Sequence, residues 1–587
     1  MQEGMSGKIA NFFINSKLTI LLMIALMVIG VYSSTLIPRE EEPQINVPMA
    51  DLMVGYPGAS PAEMESRVVE PLEKAIANIK GVKHIHSMAM NGQAMIIVQF
   101  KVGEDIERSY VKLYDELIKH SHLFPEGAMM PMIKTRSIND VPMLGLTLWS
   151  EKYNDFELKQ IAEELSNEVE RVNQVSLTDV IGGRSREVRI SLDKDKLKAN
   201  NIDPLQVMQM VKANNQSSQS GKFNSGDQEF LLTTGKFLKS KEDVENLVVG
   251  VHQNMPVYLH QVAQVTDGPE VPANYVSFGY GKGNKNYSEF PSEYSAVTLS
   301  VAKVAGADAM RISEEIIEHI EVLKKDLIPA DVFVEVTRNY GDTASHKVAE
   351  LLLHLGVAIV AVTVLVMLAM GWRGGLVVFF SVPLTFALTL FSYYMLDYTL
   401  NRITLFALVL AIGIVVDNAI VVVEAVHAKM EEENLTPYMA TQKVLGEISG
   451  AIIAITLVMT AVFIPVAFMS GPVGVFYRQF SITMASSIVI SGIVALTLTP
   501  VLCAILLKNN HGKEKKRTWL NRFLDGFNSG FERLTGRYVG LLRLIVNRRL
   551  LTFGILLAFC VGIFLENEIL PSGFIPNEDQ GTIYAII

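Results

Sequence analysis

Apolar positions in this chain collect into windows of about 20 residues, the length a helix needs to cross a bilayer core. They fall at 18–37, 348–370, 376–396, 403–423, 451–469, 482–507 and 550–570. Each predicts a membrane-spanning helix, because backbone groups in lipid must be satisfied within a helix or a closed barrel. The pattern gives seven spans. The first window runs into Pro38, Arg39 and Glu40 without a small-x-small cleavage site, so it reads as a retained helix rather than a signal peptide.

Between the first two windows lie about 310 residues of a different texture, with short runs of period two and longer runs of helical period. Strand 45–54, helix 60–79, strands 84–90 and 94–101 around Asn91-Gly92, and helix 105–120 make one α/β unit. After 131–136 the theme recurs as strand 143–149, helix 155–173, and strands 176–181 and 187–192 around Gly182-Gly183. Strand 296–302, helix 308–325 and strand 332–337 complete it. Both read as split βαβ units of ferredoxin-like kind. The stretch 193–272 holds helix 204–214, a polar run at 214–228, and short strands at 229–234 and 257–259, and reads as an insertion into the second unit. A longer repeat is also visible: the helix, proline exit, acidic turn and strand at 18–54 return at 550–587. That spacing of about 540 residues predicts a duplicated protein of which this is the first half.

Composition fits a membrane protein, at 49% apolar residues and mean hydropathy +0.29. The net charge of −10 comes with no basic face that would suggest nucleic acid. Residues 508–549 hold eleven Lys/Arg against three acids, so the positive-inside rule places them in the cytoplasm and the 310-residue segment outside. Their Trp519, Leu520, Phe523, Phe527 and Phe531 beside Lys515, Lys516, Arg517 and Arg522 predict an amphipathic helix on the inner leaflet. Cys503 and Cys560 both lie in apolar windows and read as buried membrane thiols, so no disulfide framework exists outside. Gly279-Tyr280-Gly281-Lys282-Gly283 lacks the Lys-Ser/Thr ending of a phosphate loop, and neither a His-Glu-x-x-His nor a nucleophile elbow occurs. The chain reads as a non-enzyme without cofactors.

The candidate chemistry centres on Asp417. From 403 to 423 the only strongly polar side chains are Thr404, Asp417 and Asn418. An acid near the middle of a span costs roughly 2.5–3.5 kcal/mol even on the lenient insertion scale, which points to an ion or proton relay or to a packing ion pair. Gly413 stands one turn earlier on the same face, where a missing side chain lets a neighbouring helix approach. Asn418 adds an amide, and Glu424 marks the cytoplasmic end. The basic residues nearest the spans, Arg373, Arg402 and Arg478, sit at ends, so a central counter-cation would come from outside this chain. Tyr275, Phe278, Tyr280, Tyr287, Phe290 and Tyr294 among Gly and Asn suit either an aromatic substrate cleft or a partly packed loop. His84 with His86, His120 with His122, and Met129, Met130 and Met132 are metal-capable types, but lack a further ligand at metal-site spacing.

The run Gly413 to Glu424 in a fourth span, the long first loop and the restart at the seventh resemble the resistance-nodulation-division (RND) efflux permeases, in their hydrophobe/amphiphile exporter subgroup. Gly55-Tyr56-Pro57-Gly58, Tyr477-Arg478-Gln479-Phe480 and Leu498-Thr499-Pro500 carry the same resemblance, which covers the whole chain. It implies an α+β membrane protein: a helical transmembrane bundle with a large periplasmic segment of ferredoxin-like porter subdomains and an inserted docking subdomain. The corresponding divisions are 1–37 for the cytoplasmic start and first helix, 38–136 for the first porter subdomain, and 137–192 with 273–338 for the second. The docking insertion is 193–272, helices two to six are 339–507, the cytoplasmic segment is 508–549, the seventh helix is 550–570, and the second repeat starts at 571–587. The resemblance further implies an inner-membrane homotrimer exporting small amphiphilic drugs by proton antiport, with a periplasmic adaptor and an outer-membrane channel as partners. Asp417 and Asn418 then fall at the proton relay, where many relatives carry two adjacent acids, and a partner lysine belongs to the other half. Phe278, Tyr280, Tyr287 and Phe290 are substrate-path candidates. A heavy-metal exporter of the same family is the alternative, followed by a protein-translocation accessory or a non-transporting receptor.

Overall fold

The computed structural model describes residues 12, 13, 16, 18–45, 47–508, 519–546, 548–570, 583 and 585. The chain forms two units, one of Met1–Ile138, Ala305–Arg311 and Tyr340–Ile587, the other of Asn139–Val304 and Ile312–Asn339. The expected restart at 571–587 lies outside the described residues apart from 583 and 585.

The first unit opens with helix α1 (Leu18–Leu36). An α/β layer follows: β1 (Met49–Gly55), helix α2 (61–77, with a π-helical turn at Glu65–Val69), β2 (Val82–Met90), β3 (Gln93–Phe100), α3 (Ile106–Lys119) and β4 (Met132–Arg136). The sheet order β2-β3-β1-β4 is that of a split βαβ, with every pairing antiparallel. Local chemistry sets the helix starts: Ser60 and Glu63 form a capping box, and Asp105 accepts from the Arg108 N–H. Ala50, Leu52, Val54, Ile96 and Val98 alternate inward against Leu72, Ile76 and Leu113 of the helices, so one face of the sheet is a closed core.

In the second unit, β5 (Pro142–Trp149), α4 (Asp155–Val169), β6 (Val175–Ile181), β14 (Tyr294–Lys303), α6 (Ala309–Leu323, whose first turn belongs to the other unit) and β15 (Phe333–Asn339) repeat the topology. Here β14 lies between β5 and β6, with β15 on the far side of β5. Between β6 and β14 the chain forms β7 (Arg186–Leu192), α5 (Pro204–Asn214), β8 (Ser218–Ser225), β9 (Gln228–Thr234), β10 (Val248–His252), β11 (Met255–Tyr258), β12 (Ala263–Pro269) and the short β13 (Ser277–Phe278). Two expectations change. The strand at 187–192 pairs with β12 and not with the second α/β sheet, so it belongs to the inserted body. The polar run at 214–228 contains a strand, β8, hydrogen-bonded to β9; every residue of β9 is exposed, so no inward-outward alternation announced the hairpin.

The remaining helices return to the first unit: α7 (Tyr340–Met395), α8 (Arg402–Glu432), α9 (Pro437–Ala467), α10 (Pro472–Leu506), α11 (Trp519–Val546) and α12 (Arg549–Ile569). Among the described residues six helices are long and apolar enough to cross a membrane, and α7 contains two of the seven expected windows. At 56 residues, α7 would reach roughly 84 Å if straight, far beyond a bilayer. It is broken at Gly371, whose φ of 81° is open to glycine and strained for other residues. Met367 Cα lies 3.2 Å from where a Cβ on Gly375 would stand, although eight residues of straight helix separate by about 12 Å. The helix therefore folds back on itself there. Cys503 is buried as expected, whereas Cys560 is exposed, because α12 has no buried residue and offers its sides to the surroundings. Helix α11 covers most of the expected amphipathic segment; Phe531 is exposed on it, and the expected side-chain partition of its first turns lies outside the described side chains.

The turn at Gly371 yields a direct test. Gly371→Ala should cost about 1–2 kcal/mol, the penalty for a Cβ in left-handed backbone, and lower the detergent-solubilised melting temperature. Gly356→Ala, in regular helix with open space at its Cβ, should leave it unchanged or raise it.

Candidate functional site

Helix α8 is apolar through its middle, and the bundle covers only part of its circumference. Leu405, Leu408, Ala411, Ile412, Val415, Ala419 and Val422 are buried in the membrane-helix core. On another face Phe406, Leu410, Gly413, Asp417 and Glu424 are all exposed. Their spacings of four, three, four and seven residues align them as one stripe along the helix. A Cβ on Gly413 would meet nothing within 4 Å, so the stripe is open at the glycine too. Asp417 makes no hydrogen bond or ion pair among the described residues.

Asn418 is one step, or about 100°, further round and does something different. It is 5% exposed, and its Nδ2 donates to Ser491 Oγ of α10 at 3.1 Å. Ser491 Oγ in turn donates to the Val415 carbonyl at 2.7 Å, so the two residues tie α8 to α10. A second tie, Ser381 Oγ to Thr499 Oγ1 at 3.2 Å, joins α7 to α10. Hydroxyl and amide links of this kind hold apolar helices in register where burial alone gives little preference. The two polar neighbours predicted from sequence are thus separated: Asp417 stands on the open stripe with Gly413, and Asn418 is a packing group.

Of the three terminal cations, Arg402 has a role that sequence reasoning missed. It begins α8, is 5% exposed, and its guanidinium pairs with the Glu41 carboxylate and, at 3.7 Å, with Glu42. The signal was present as three acids after Pro38 and a lone Arg at the start of the fourth span, but nothing in the sequence said that they meet.

The aromatic candidates gather in the second unit around Trp149, which is fully buried. Phe278 and Phe333 stack on it at 5.6 and 4.6 Å, and Tyr280, Phe290 and Tyr294 meet it at 5.9, 5.0 and 4.9 Å. Tyr280 donates to Glu335 at 2.6 Å. Burial first, and then that carboxylate, push the Tyr280 hydroxyl above the ordinary tyrosine range. These rings form a small packed core. A shallow cavity of about 400 Å³ beside it is lined by Tyr280, Tyr287, Lys282 and Glu293, so Tyr287 is the candidate that faces open space without joining the ring cluster. The paired histidines stand with ring centroids 6.0 Å apart at 84 and 86 and 6.1 Å apart at 120 and 122, and no group of three or more His, Cys, Asp or Glu converges among the described residues.

Comparison with known proteins fits this arrangement. The profile of the AcrB/AcrD/AcrF family matches residues 9–587. Multidrug resistance protein MdtC of Photorhabdus laumondii subsp. laumondii is 29% identical over 575 residues, covering 97% of this chain and 53% of that protein. The chain therefore spans about half the length of the curated relative it matches.

The opposite placements of the neighbours at 417 and 418 predict opposite effects on stability. Asn418→Ala should destabilise the bundle by about 1–3 kcal/mol through the lost buried hydrogen bond. Asp417→Asn should leave stability unchanged or raise it, since it removes a costly mid-span charge that makes no hydrogen bond or ion pair among the described residues. Thermal unfolding of both variants in detergent checks the pair.

Proposed function

The chain belongs to the AcrB/AcrD/AcrF family, and on that premise we propose that it works as an inner-membrane RND transporter exporting small amphiphilic compounds by proton antiport. The observation that carries this reading is Asp417: an acid midway along a membrane-length helix, on an open stripe beside Gly413. Protonation removes its charge and so changes what the stripe tolerates as a neighbour, which supplies the differential interaction that any population shift requires. A helix bearing a Lys or Arg is the counterpart expected on that stripe when the carboxylate is ionised. Because position 418 is an amide used in packing, a single carboxylate carries the proton.

The rest of the reading follows the family. Helix α7 counts as two spans joined at Gly371, which makes seven in all. The two split βαβ units serve as periplasmic porter subdomains, 38–136 and 137–185 with 273–338. The body between them, with β7 included, serves as the docking subdomain toward a periplasmic adaptor and an outer-membrane channel in a homotrimer. The relative's name, a multidrug resistance protein, supports drugs as the substrate class. Among the aromatic candidates, Tyr287 is the one expected to touch substrate, while Phe278, Tyr280 and Phe290 support the wall behind it.

Accumulation of a fluorescent cationic dye in cells stripped of other exporters tests this. Cells making the protein should hold less dye, a protonophore should abolish the difference, and Asp417→Asn should match the protonophore. Export that persists in Asp417→Asn at parental protein level would sink the relay assignment.

A further inference from the structure

The buried pair at the start of α8 belongs to a larger joint. The chain leaving α1 is hydrogen-bonded along the loop that enters α8: Leu400 N donates to the Pro38 carbonyl at 2.9 Å, Glu40 N to the Leu400 carbonyl at 3.1 Å, and Arg402 N to the Glu41 carbonyl at 3.1 Å. Residues 39 and 400 thereby form a parallel bridge. Arg402 and Glu41 lock it with their side chains, at 5% and 10% exposure. From the same strap, Gln44 donates to Glu40 Oε1 at 2.6 Å and accepts from Gly306 N at 3.1 Å. The Arg39 carbonyl accepts from Ala309 N at 3.2 Å, and Asp308 caps the first turn of α6 by accepting from Met310 N and Arg311 N. On the other side, Asn401 caps α8 through Ile403 N and Thr404 N, and its Nδ2 donates to Gln479 of α10 at 3.0 Å.

One strap, residues 38–44, thus holds the first turn of α6 and the first residue of α8 together. Arg402 is fifteen residues from Asp417 in the same helix, roughly 22 Å along a rigid axis. A shift of α8 along that axis cannot leave the strap behind while the ion pair holds. A buried pair is also a poor choice for stability alone, since apolar residues of similar volume are often as stable, whereas losing one partner leaves an uncompensated charge.

We infer that Arg402 and Glu41 are positioning residues for coupling: they make the strap 38–44 carry movement of the Asp417 helix to residues 305–311 and the start of α6. This rests on the transport reading above. Pairing, more than either residue alone, is the requirement. Glu42, at 3.7 Å, is the secondary acid.

The test uses the full transporter in proteoliposomes under an imposed pH gradient, with Glu41→Gln, Arg402→Gln and the exchanged pair Glu41→Arg/Arg402→Glu. Substrate binding is read separately by fluorescence polarisation of the dye. Glu41→Gln should cut the maximal export rate about tenfold, the usual scale of coupling between sites, while dye affinity stays within about twofold. The exchanged pair should recover most of the rate. A structural role alone would move abundance, melting temperature and dye affinity together, leaving the turnover of the folded fraction intact. If Arg402→Gln fails to fold, Glu41→Gln and the exchanged pair carry the decision. Parental turnover in a folded Glu41→Gln, or an exchanged pair that folds without regaining turnover, overturns the inference. Absence of gradient-driven export in the parent protein would instead count against the transport reading itself.

Discussion

An ionised carboxylate facing hydrocarbon is one of the most expensive placements available to a membrane protein, and it is reduced by a counter-charge, by water, or by a proton. Asp417 lies on the stripe of α8 that its own bundle leaves uncovered, with Gly413 above it and no partner among the described residues. The contacts of α8 with its bundle lie on its other faces and leave that stripe exposed. The opposite face is packed with Leu, Ile, Val and Ala, the Asn418–Ser491–Val415 chain fixes its rotation against α10, and Asn401 with Arg402 fixes its upper end. Rotation by a single residue would bury the acid and expose the amide. The hydrogen bond at 418 therefore helps to keep the carboxylate on the open stripe.

Asp417 and Asn418, adjacent in sequence, occupy different faces of α8 and have different surroundings. Two acids side by side would both need outlets for their charge, whereas an acid beside an amide needs one. The amide spends its hydrogen-bonding capacity inside the protein, which leaves the acid as the one side chain of the pair free for the proposed relay. The strap at 38–44 gives the movement of that helix a route out of the bundle that depends on one buried ion pair.

Much of this was legible in the sequence. Long apolar windows mark helices because lipid offers the backbone no alternative, and all seven windows fall in helices. The two α/β units showed through Asn91-Gly92 and through strand alternation at 94–100, where burial follows the same period. Asp417 stood out because its surroundings are uniformly apolar. What stayed hidden was long-range or unpatterned. The strand β8 is polar and exposed on both faces, so period two had nothing to sort. The strand at 187–192 looked like its neighbours and declared its sheet only by pairing with 263–269, some seventy residues on. The Arg402–Glu41 contact joins residues 361 apart. Sequence showed the residue types at each place, and folding alone decided which of them met.

The proposed relay requires the Asp417 carboxyl to gain and lose a proton during turnover. Infrared difference spectroscopy of the reconstituted transporter, comparing substrate-loaded and substrate-free states across the pH range of activity, reports this most directly. A carboxylic C=O band that appears in one state, disappears in the other and is absent in Asp417→Asn is the predicted result. A difference spectrum without that band, or one in which the band survives in Asp417→Asn, would contradict the claim.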